Sequence, residues 1–283
     1  MKGLDHWRNK NGFYVAQIHY SADPNKDPDT EEGRRWLNEA KRGMSEAAFR
    51  KEYEIDWFAL SGELIFPEFD KNVHLIEPFE IPKHWPIYQG IDHGVRNPTA
   101  VIWAAVSPDN DIICYREYYH KNMTVKQHAE QIRILEKHEK ENNCKIIRYI
   151  DPATSQRNGI NLDTIMGEFA KNGIYCIPGT NNVEAGLDRI SKYLRIDKSG
   201  KPRLYLFNTL RNTINEFTNY RWKEITPTQA EKSNPKDQPG KVNDHLLDAL
   251  RYLLMGNPHY YNTQVKFKPK RSAEVWDNKT TGY

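Results

Sequence analysis

Four acidic side chains and one imidazole carry the chemistry this sequence can offer. Asp92 closes the apolar run IYQGID, and Gly90 and Gly94 around it leave room for a ligand to approach the backbone. Asp151 ends a second apolar run, KIIRYID, where Pro152 stops the strand. The stretch KVNDHLLDALRYLL then sets Asp244, His245 and Asp248 within two turns of a helix whose buried stripe is Leu246, Ala249, Leu250, Leu253 and Leu254. Ordinary explanations exist for three of these residues. Asp92 can initiate a turn, Asp151 an Asp-Pro turn, and Asp244 can cap a helix start. Asp248 lacks one, although Arg251 three residues on could offset a like-charge repulsion of about 0.2–0.5 kcal/mol with Asp244. Taken together, carboxylates from two strand ends and one helix make an oxygen cluster suited to Mg²⁺ or Mn²⁺. Two such ions about 4 Å apart would activate a water and stabilise the leaving oxygen in phosphodiester hydrolysis.

The elements that must position these groups read as a mixed α/β sheet flanked by helices. From Pro86, the runs IYQGID, TAVIWAAV and IICYREYY are β-branched and aromatic, and HGVRNP and SPDND join them as turns, which predicts an antiparallel meander. A helix on TVKQHAEQIRILEKHEKEN follows, with Thr124 as its cap and Val125, Ala129, Ile132 and Leu135 on its apolar face. The strand KIIRYID, a helix on NLDTIMGEFAKN, a short strand GIYCIP, helices on NVEAGLDRISKYL and LRNTINEFTNY, and a hairpin around DKSGKP continue the alternation before the final helix. Upstream, FYVAQIHYSA predicts a strand and Arg34 to Tyr53 a helix broken at Gly43, while SGELIFPEFDKNVHLIEPFEIPKHWPI reads as a connector. The expected division is therefore 1–60 as a junction segment, 61–85 as a linker, 86–257 as the main domain and 258–283 as a flexible basic tail.

Bulk properties narrow the function classes. The 41 basic and 38 acidic residues nearly cancel, so a polyanionic partner must be met by a local patch, not by a global field. Cys114, Cys144 and Cys176 show no CxxC spacing, which argues against a zinc site and fits a reducing compartment. No apolar run approaches the ~18 residues of a membrane span, and the first residues, MKGLDHWRNKNG, lack the apolar core of a signal peptide, so a cytoplasmic location is expected.

The strings GIDHGVRNPTAVIWAAV, YIDPA, PGTNNVEAGLDRI, TINEFTNYRW and KVNDHLLDALRYLL, in that order between about Leu64 and Gly256, resemble the nuclease domain of tailed-phage terminase large subunits. The resemblance implies an RNase H-like fold and a metal-dependent endonuclease that cuts concatemeric viral DNA during packaging in the host cytoplasm, with two Mg²⁺ or Mn²⁺ ions. It carries the first two metal ligands onto Asp92 and Asp151. The third falls among Asp248, Asp244 and His245, with Asp248 favoured on position. Implied partners are double-stranded DNA, the portal protein and the small terminase subunit. Family members also carry an ATPase domain. No GxxxxGK[ST] phosphate loop occurs in this sequence, and residues 1–60 resemble the end of that domain, so no ATPase activity is expected from this chain.

DNA contact requires basic side chains near the acids. Arg96, Arg157, Lys198 and Lys201 are the leading candidates from a wider set that includes Arg148, Lys171, Arg189 and Lys192, and the DKSGKP turn is the expected DNA-facing element. Two other functions remain open on this sequence: a packaging-motor docking domain whose nuclease is silent, and another RNase H-like nuclease such as a junction resolvase or transposase.

Overall fold

The computed structural model describes residues 2–8, 12–42, 44, 46–55, 62–94, 97–156, 164–223, 238–240 and 244–264. Near the start, β1 (Leu4–Arg8) and β2 (Tyr14–Ile18) form an antiparallel hairpin. Helices α1 (Glu31–Ala40) and α2 (Glu46–Tyr53) follow. Thr30 caps α1 through the Gly33 amide, so the helix begins three residues earlier than Arg34. Tyr20, Trp36, Phe49 and Tyr53 close this part with ring contacts of their own.

The remainder is organised by a seven-stranded sheet in the order β3-β9-β6-β5-β4-β7-β8. Its strands are β3 (Leu75–Ile76), β4 (Ile87–Asp92), β5 (Thr99–Val106), β6 (Ile112–His120), β7 (Ile146–Ile150), β8 (Ile177–Pro178) and β9 (Leu204–Phe207). The meander β4-β5-β6 is antiparallel, as its turn residues predict, and the other pairings are parallel. All of β5 is buried, which explains its unbroken apolar run: both of its faces are covered.

Helices α4 (Val125–Leu135) and α6 (Ile165–Lys171) cover one face, with α5 (Lys137–Glu141) continuing from α4. Thr124 and Gln127 form a reciprocal capping box that starts α4. The opposite face carries α7 (Val183–Leu194), α8 (Arg211–Asn219) and α9 (His245–Met255).

Three features depart from the sequence expectations. Within the segment expected as a linker, the short helix α3 (Lys71–His74) and β3 build onto the sheet edge, Ile65 and Phe66 enter the core, and buried His74 lies 2.8 Å from the Leu194 carbonyl. The DKSGKP stretch is a turn joining α7 to β9, not a β-hairpin. The start of the expected tail is bound to the domain, with the Tyr260 amide donating to Asn110 Oδ1 at 2.9 Å and Thr263 Oγ1 to the Lys83 carbonyl at 3.0 Å. For the linker segment and the tail, apolar burial explains the outcome, since Leu75, Ile76, Tyr260 and Tyr261 pack on the main core.

Candidate metal centre

Alternation along β4 decides where Asp92 points. Tyr88, Gly90 and Asp92 share the face covered by α9, whereas Gln89 reaches Glu136 on the opposite face. Gly90 lets the helix lie against the strand, because a Cβ there would sit 1.9 Å from the Ala249 carbonyl oxygen. Two residues later, that close approach delivers Asp92 to the start of α9, where its Oδ2 lies 2.9 Å from His245 Nδ1. Burial pushes the Asp92 carboxyl up; the His245 contact opposes this, and the fields of Asp151 and Asp244 add to it. The hydrogen bond to Asp92 raises His245 in turn, against the effect of its own burial.

Strand β7 runs parallel to β4, and the Asp151 amide extends the ladder by donating to the Ile91 carbonyl at 3.0 Å. Asp151 therefore stands beside Asp92 at the same end of the sheet. The turn reading holds for one of its oxygens: Oδ1 accepts from the Ala153 amide at 2.9 Å and starts the 3-10 turn Pro152–Ser155.

The two aspartates of the last helix have surroundings that differ from the ordinary explanations their positions suggest. Asp248 has an internal counter-ion, since its Oδ1 accepts from Arg251 Nε at 3.0 Å and lies 2.9 Å from Nη2. That guanidinium is 2% exposed and also donates to the Thr180 carbonyl. Gly186 makes space for it, because a Cβ there would fall 2.3 Å from Arg251 Cγ and Cδ. Asp248 is pushed up to about 6 by burial, against the pull of Arg251 and with the fields of Asp92 and Asp244 added. Leu247, Arg251 and Tyr252 of this helix are buried along with the stripe.

Asp244 occupies the N-cap position, yet its side chain makes no capping hydrogen bond. The amides of Leu246 and Leu247 instead donate to Glu216 Oε2 of α8, at 2.8 and 3.0 Å. The Asp244 carboxylate is left facing the site, with the Tyr220 hydroxyl 3.5 Å away.

Glu216, Tyr220 and Tyr119 are site components that the sequence reasoning did not select, whereas it did name Arg251 as a residue that could offset the charge beside Asp248. Tyr119 lies opposite Ala100, which lies opposite Asp92, and its ring centroid is 6.2 Å from that of His245. Its hydroxyl is pushed up to about 12 by burial and by the charges of Glu216, Asp244 and Asp92. A signal for Glu216 did exist. It sits with Thr213, Phe217 and Tyr220 on the buried stripe of α8, where a carboxylate needs a partner.

The structure thus brings Asp92, Asp151, Asp244, His245 and Asp248 to one end of the sheet. Among the described residues, no three His, Cys, Asp or Glu side chains stand close enough together to hold a metal ion as placed. The basic candidates fare differently. Arg96 and Arg157 lie outside the described residues. Lys198 and Lys201 precede β9, whose first residue pairs with Ile112 at the Ile87 end of the sheet. They are therefore a strand length, roughly 17 Å, or more from Asp92, because the turn lies at the wrong end of a parallel strand. Arg148 pairs with Glu136 at 2.6 Å, and Arg189 bonds the Asn257 side chain.

No family model matches the sequence. The terminase large subunit of Escherichia phage T5 is 27% identical over 229 residues, which are 76% of this chain and 47% of that protein. The chain is a homologue of the phage terminase large subunits. Its fold agrees with solved terminases. The large terminase of a thermophilic bacteriophage superposes with a TM-score of 0.59 at 21% identity, covering 79% of this chain and 52% of that one. The P22 large terminase nuclease domain superposes with a TM-score of 0.55 at 20% identity, covering 72% of this chain and 96% of that one. This terminase homologue thus spans about half the length of the T5 and thermophilic-phage proteins and nearly all of the P22 nuclease domain. Its mixed seven-stranded sheet flanked by helices is RNase H-like. Among the described residues, no helix is long and apolar enough to cross a membrane.

Proposed function

We propose that this chain is the metal-dependent DNA endonuclease part of a phage terminase, cutting concatemeric viral DNA in the host cytoplasm during packaging. The observation that carries the reading is the unbalanced charge, among the described residues, at the end of β4 and β7. The charges of Asp151 and Asp244 raise Asp92, those of Asp92 and Asp244 raise Asp248, and Arg251 is the guanidinium paired with Asp248. Such an all-oxygen donor set with excess negative charge fits a hard divalent cation. Asp92, Asp151 and Asp244 would hold Mg²⁺ or Mn²⁺, with His245 as a further ligand or a substrate contact and Asp248 as a support held by Arg251. A bound pair of ions supplies water activation and stabilisation of the leaving oxygen in phosphodiester hydrolysis.

The chain's own groups have definable roles. His245 holds the Asp92 carboxylate by a 2.9 Å contact, which limits its orientation. Tyr119 keeps its proton at neutral pH and can donate to a phosphate oxygen. Double-stranded DNA is the proposed substrate, with the portal protein and the small terminase subunit as partners. Motor activity would come from residues outside those seen here, since the sequence contains no phosphate loop.

Incubation of plasmid DNA with Mn²⁺ or Mg²⁺ tests the reading: nicking or linearisation is expected, and its disappearance in Asp92→Ala. Cleavage that persists in that variant would overturn the assignment. A second reading, a packaging-motor docking module with a silent nuclease, is favoured by the absence of any three gathered ligands among the described residues. Protein that cuts with neither metal, yet binds portal or small subunit, would support it.

A further inference from the structure

Helix α9 carries two of the site's groups at its first turn, and its placement depends on how that turn is held. Helix amides at the second and third positions usually find the N-cap side chain, and Asp244 has the right chemistry for it. Both amides go instead to Glu216, which is 3% exposed and reaches them from α8. Helix α8 is held in the same way. Its own N-cap, Leu210, has no capping side chain, and Glu117 of β6 accepts the Asn212 amide at 3.0 Å and the Thr213 amide at 2.9 Å. The Asn212 Nδ2 and Thr213 Oγ1 groups donate to the same carboxylate at 2.9 and 2.7 Å. Two carboxylates thus cap two successive helices from neighbouring elements, and the series runs from the sheet to the start of α9.

We infer that Glu216 is the positioning residue of the metal end of α9, capping the helix from α8 so that Asp244 is not bound to its own helix amides and His245 meets Asp92. Substitution of the Asp244 cap by Glu216 has a chemical consequence. A carboxylate bonded to its own helix amides would be a poorer acceptor for a cation or a phosphate-bound water, because those donors compete for the same lone pairs. With the amides satisfied elsewhere, the charge of Asp244 is directed at Asp92, Asp248 and Tyr119, on all of which its field acts. The second oxygen of Glu216, Oε1, is buried without a hydrogen-bond partner among the described residues. Leaving a buried acceptor unmet is unfavourable. An isosteric Gln would place its amide group there and keep a carbonyl for the two backbone amides. The metal consequence rests on the nuclease reading, whereas the cap itself rests on geometry alone.

Two measurements on the full chain test this, neither of which reads cleavage: peptide-resolved hydrogen exchange and the affinity for Mn²⁺ alone. Glu216→Leu is expected to speed exchange at the start of α9 while β4 and β5 stay protected, and to weaken Mn²⁺ binding by roughly 10- to 100-fold, the range for loss of a ligand's supporting contact. Glu216→Gln is expected to restore both to within about threefold of the unsubstituted protein, reflecting the acceptor it retains. Glu216→Asp, one methylene short of the amides, gives the same reading as the leucine variant where the latter does not fold. Mn²⁺ affinity unchanged in Glu216→Leu, failure of Gln to rescue, or exchange quickened equally across the sheet would each overturn the inference. An unsubstituted protein that binds no Mn²⁺ would overturn the nuclease reading, and this consequence with it.

Discussion

The two faces of the central sheet both bury carboxylates, and they treat them in opposite ways. On the α4 and α5 side, Glu136 accepts from Gln89 at 2.8 Å, Trp103 at 3.0 Å and Arg148 at 2.6 Å, and Glu139 accepts from Tyr115 at 3.0 Å and pairs with Arg116 at 2.8 Å. Each acid there has a guanidinium of its own, and the guanidinium of Arg116 lies over the Trp103 ring besides. On the α9 side, Asp92, Asp151, Asp244 and Asp248 share one end of the sheet, among the described residues, with Arg251 and the His245 imidazole, and burial with neighbouring negative charge raises Asp92 and Asp248. A buried acid is therefore no sign of a site by itself. The count of cations facing the acids separates a structural network from a place where a cation is wanted.

The largest expected difference lies within the α9 face. Asp244→Ala and Asp92→Ala are expected to reduce Mn²⁺-dependent plasmid cleavage to background. Asp248→Asn, which removes a support already paired with Arg251, is expected to lower it about 10- to 100-fold. Initial nicking rates at saturating Mn²⁺ would read the split. Background activity in Asp248→Asn with near-normal activity in Asp244→Ala would reverse the assignment drawn from the structure.

Stability is expected to divide the other way. Glu136→Ala leaves the partly buried Arg148 without its carboxylate and is expected to cost about 3 kcal/mol, the lower end of the range for breaking a buried pair from one side. Asp92→Asn and Asp244→Asn relieve like-charge repulsion and are expected to leave the urea midpoint unchanged or raise it. Equal losses on both faces would erase the distinction between them.

That division was partly legible in the residues. The meander over Ile87–His120 could be read from its β-branched runs and turn clusters, and Asp92 and Asp151 were visible as carboxylates at the exits of two apolar strands. Some short pairings were not legible: β3 and β9 acquire their strand character from partners distant in sequence, as at the β3-β9 edge, and β1 was missed although its hairpin partner β2 is near. In the last helix, two contacts lay beyond local reasoning, each for its own cause. Whether Arg251 turns back on Asp248 depends on the space at Gly186, and whether Asp244 caps its helix depends on Glu216, 28 positions upstream by residue number. Periodicity describes a helix's faces but not which distant side chain claims its first amides.

A smaller effect separates the faces by pH. Asp92 is raised, Asp248 lies at about 6 and Glu216 at about 8, all above their ordinary unfolded values, so the native state binds more protons and their contribution to stability is lost as pH rises from about 4 through about 8. His128, on the α4 face, is pushed down to about 4 by burial, so its contribution is present above about 6.5 and lost as pH falls toward 4. A divalent cation at the α9 face competes with the protons. Mn²⁺ at about 100 times its dissociation constant is expected to stabilise the protein by about 2.7 kcal/mol at pH 8. Less is expected at pH 6, and nothing after EDTA. Thermal midpoints with and without Mn²⁺ at the two pH values would check this, and equal stabilisation at both would place the ion away from the raised carboxylates.

The smallest expected effect concerns the two ends of the sheet. Sequence reading made the DKSGKP turn the DNA-facing element, but Lys198 and Lys201 lie beyond the Ile87 end of the sheet, with Arg203 fastened there to the Asn110 carbonyl. A duplex held at the carboxylates by both lysines would contribute roughly 0.9 per phosphate contact to the salt dependence of binding. The double variant Lys198→Ala, Lys201→Ala is therefore expected to leave both the salt slope and the cleavage rate as they were. A slope lowered by about two units would show DNA running the full length of the sheet. The acidic end would then be one terminus of a long binding track and not its centre.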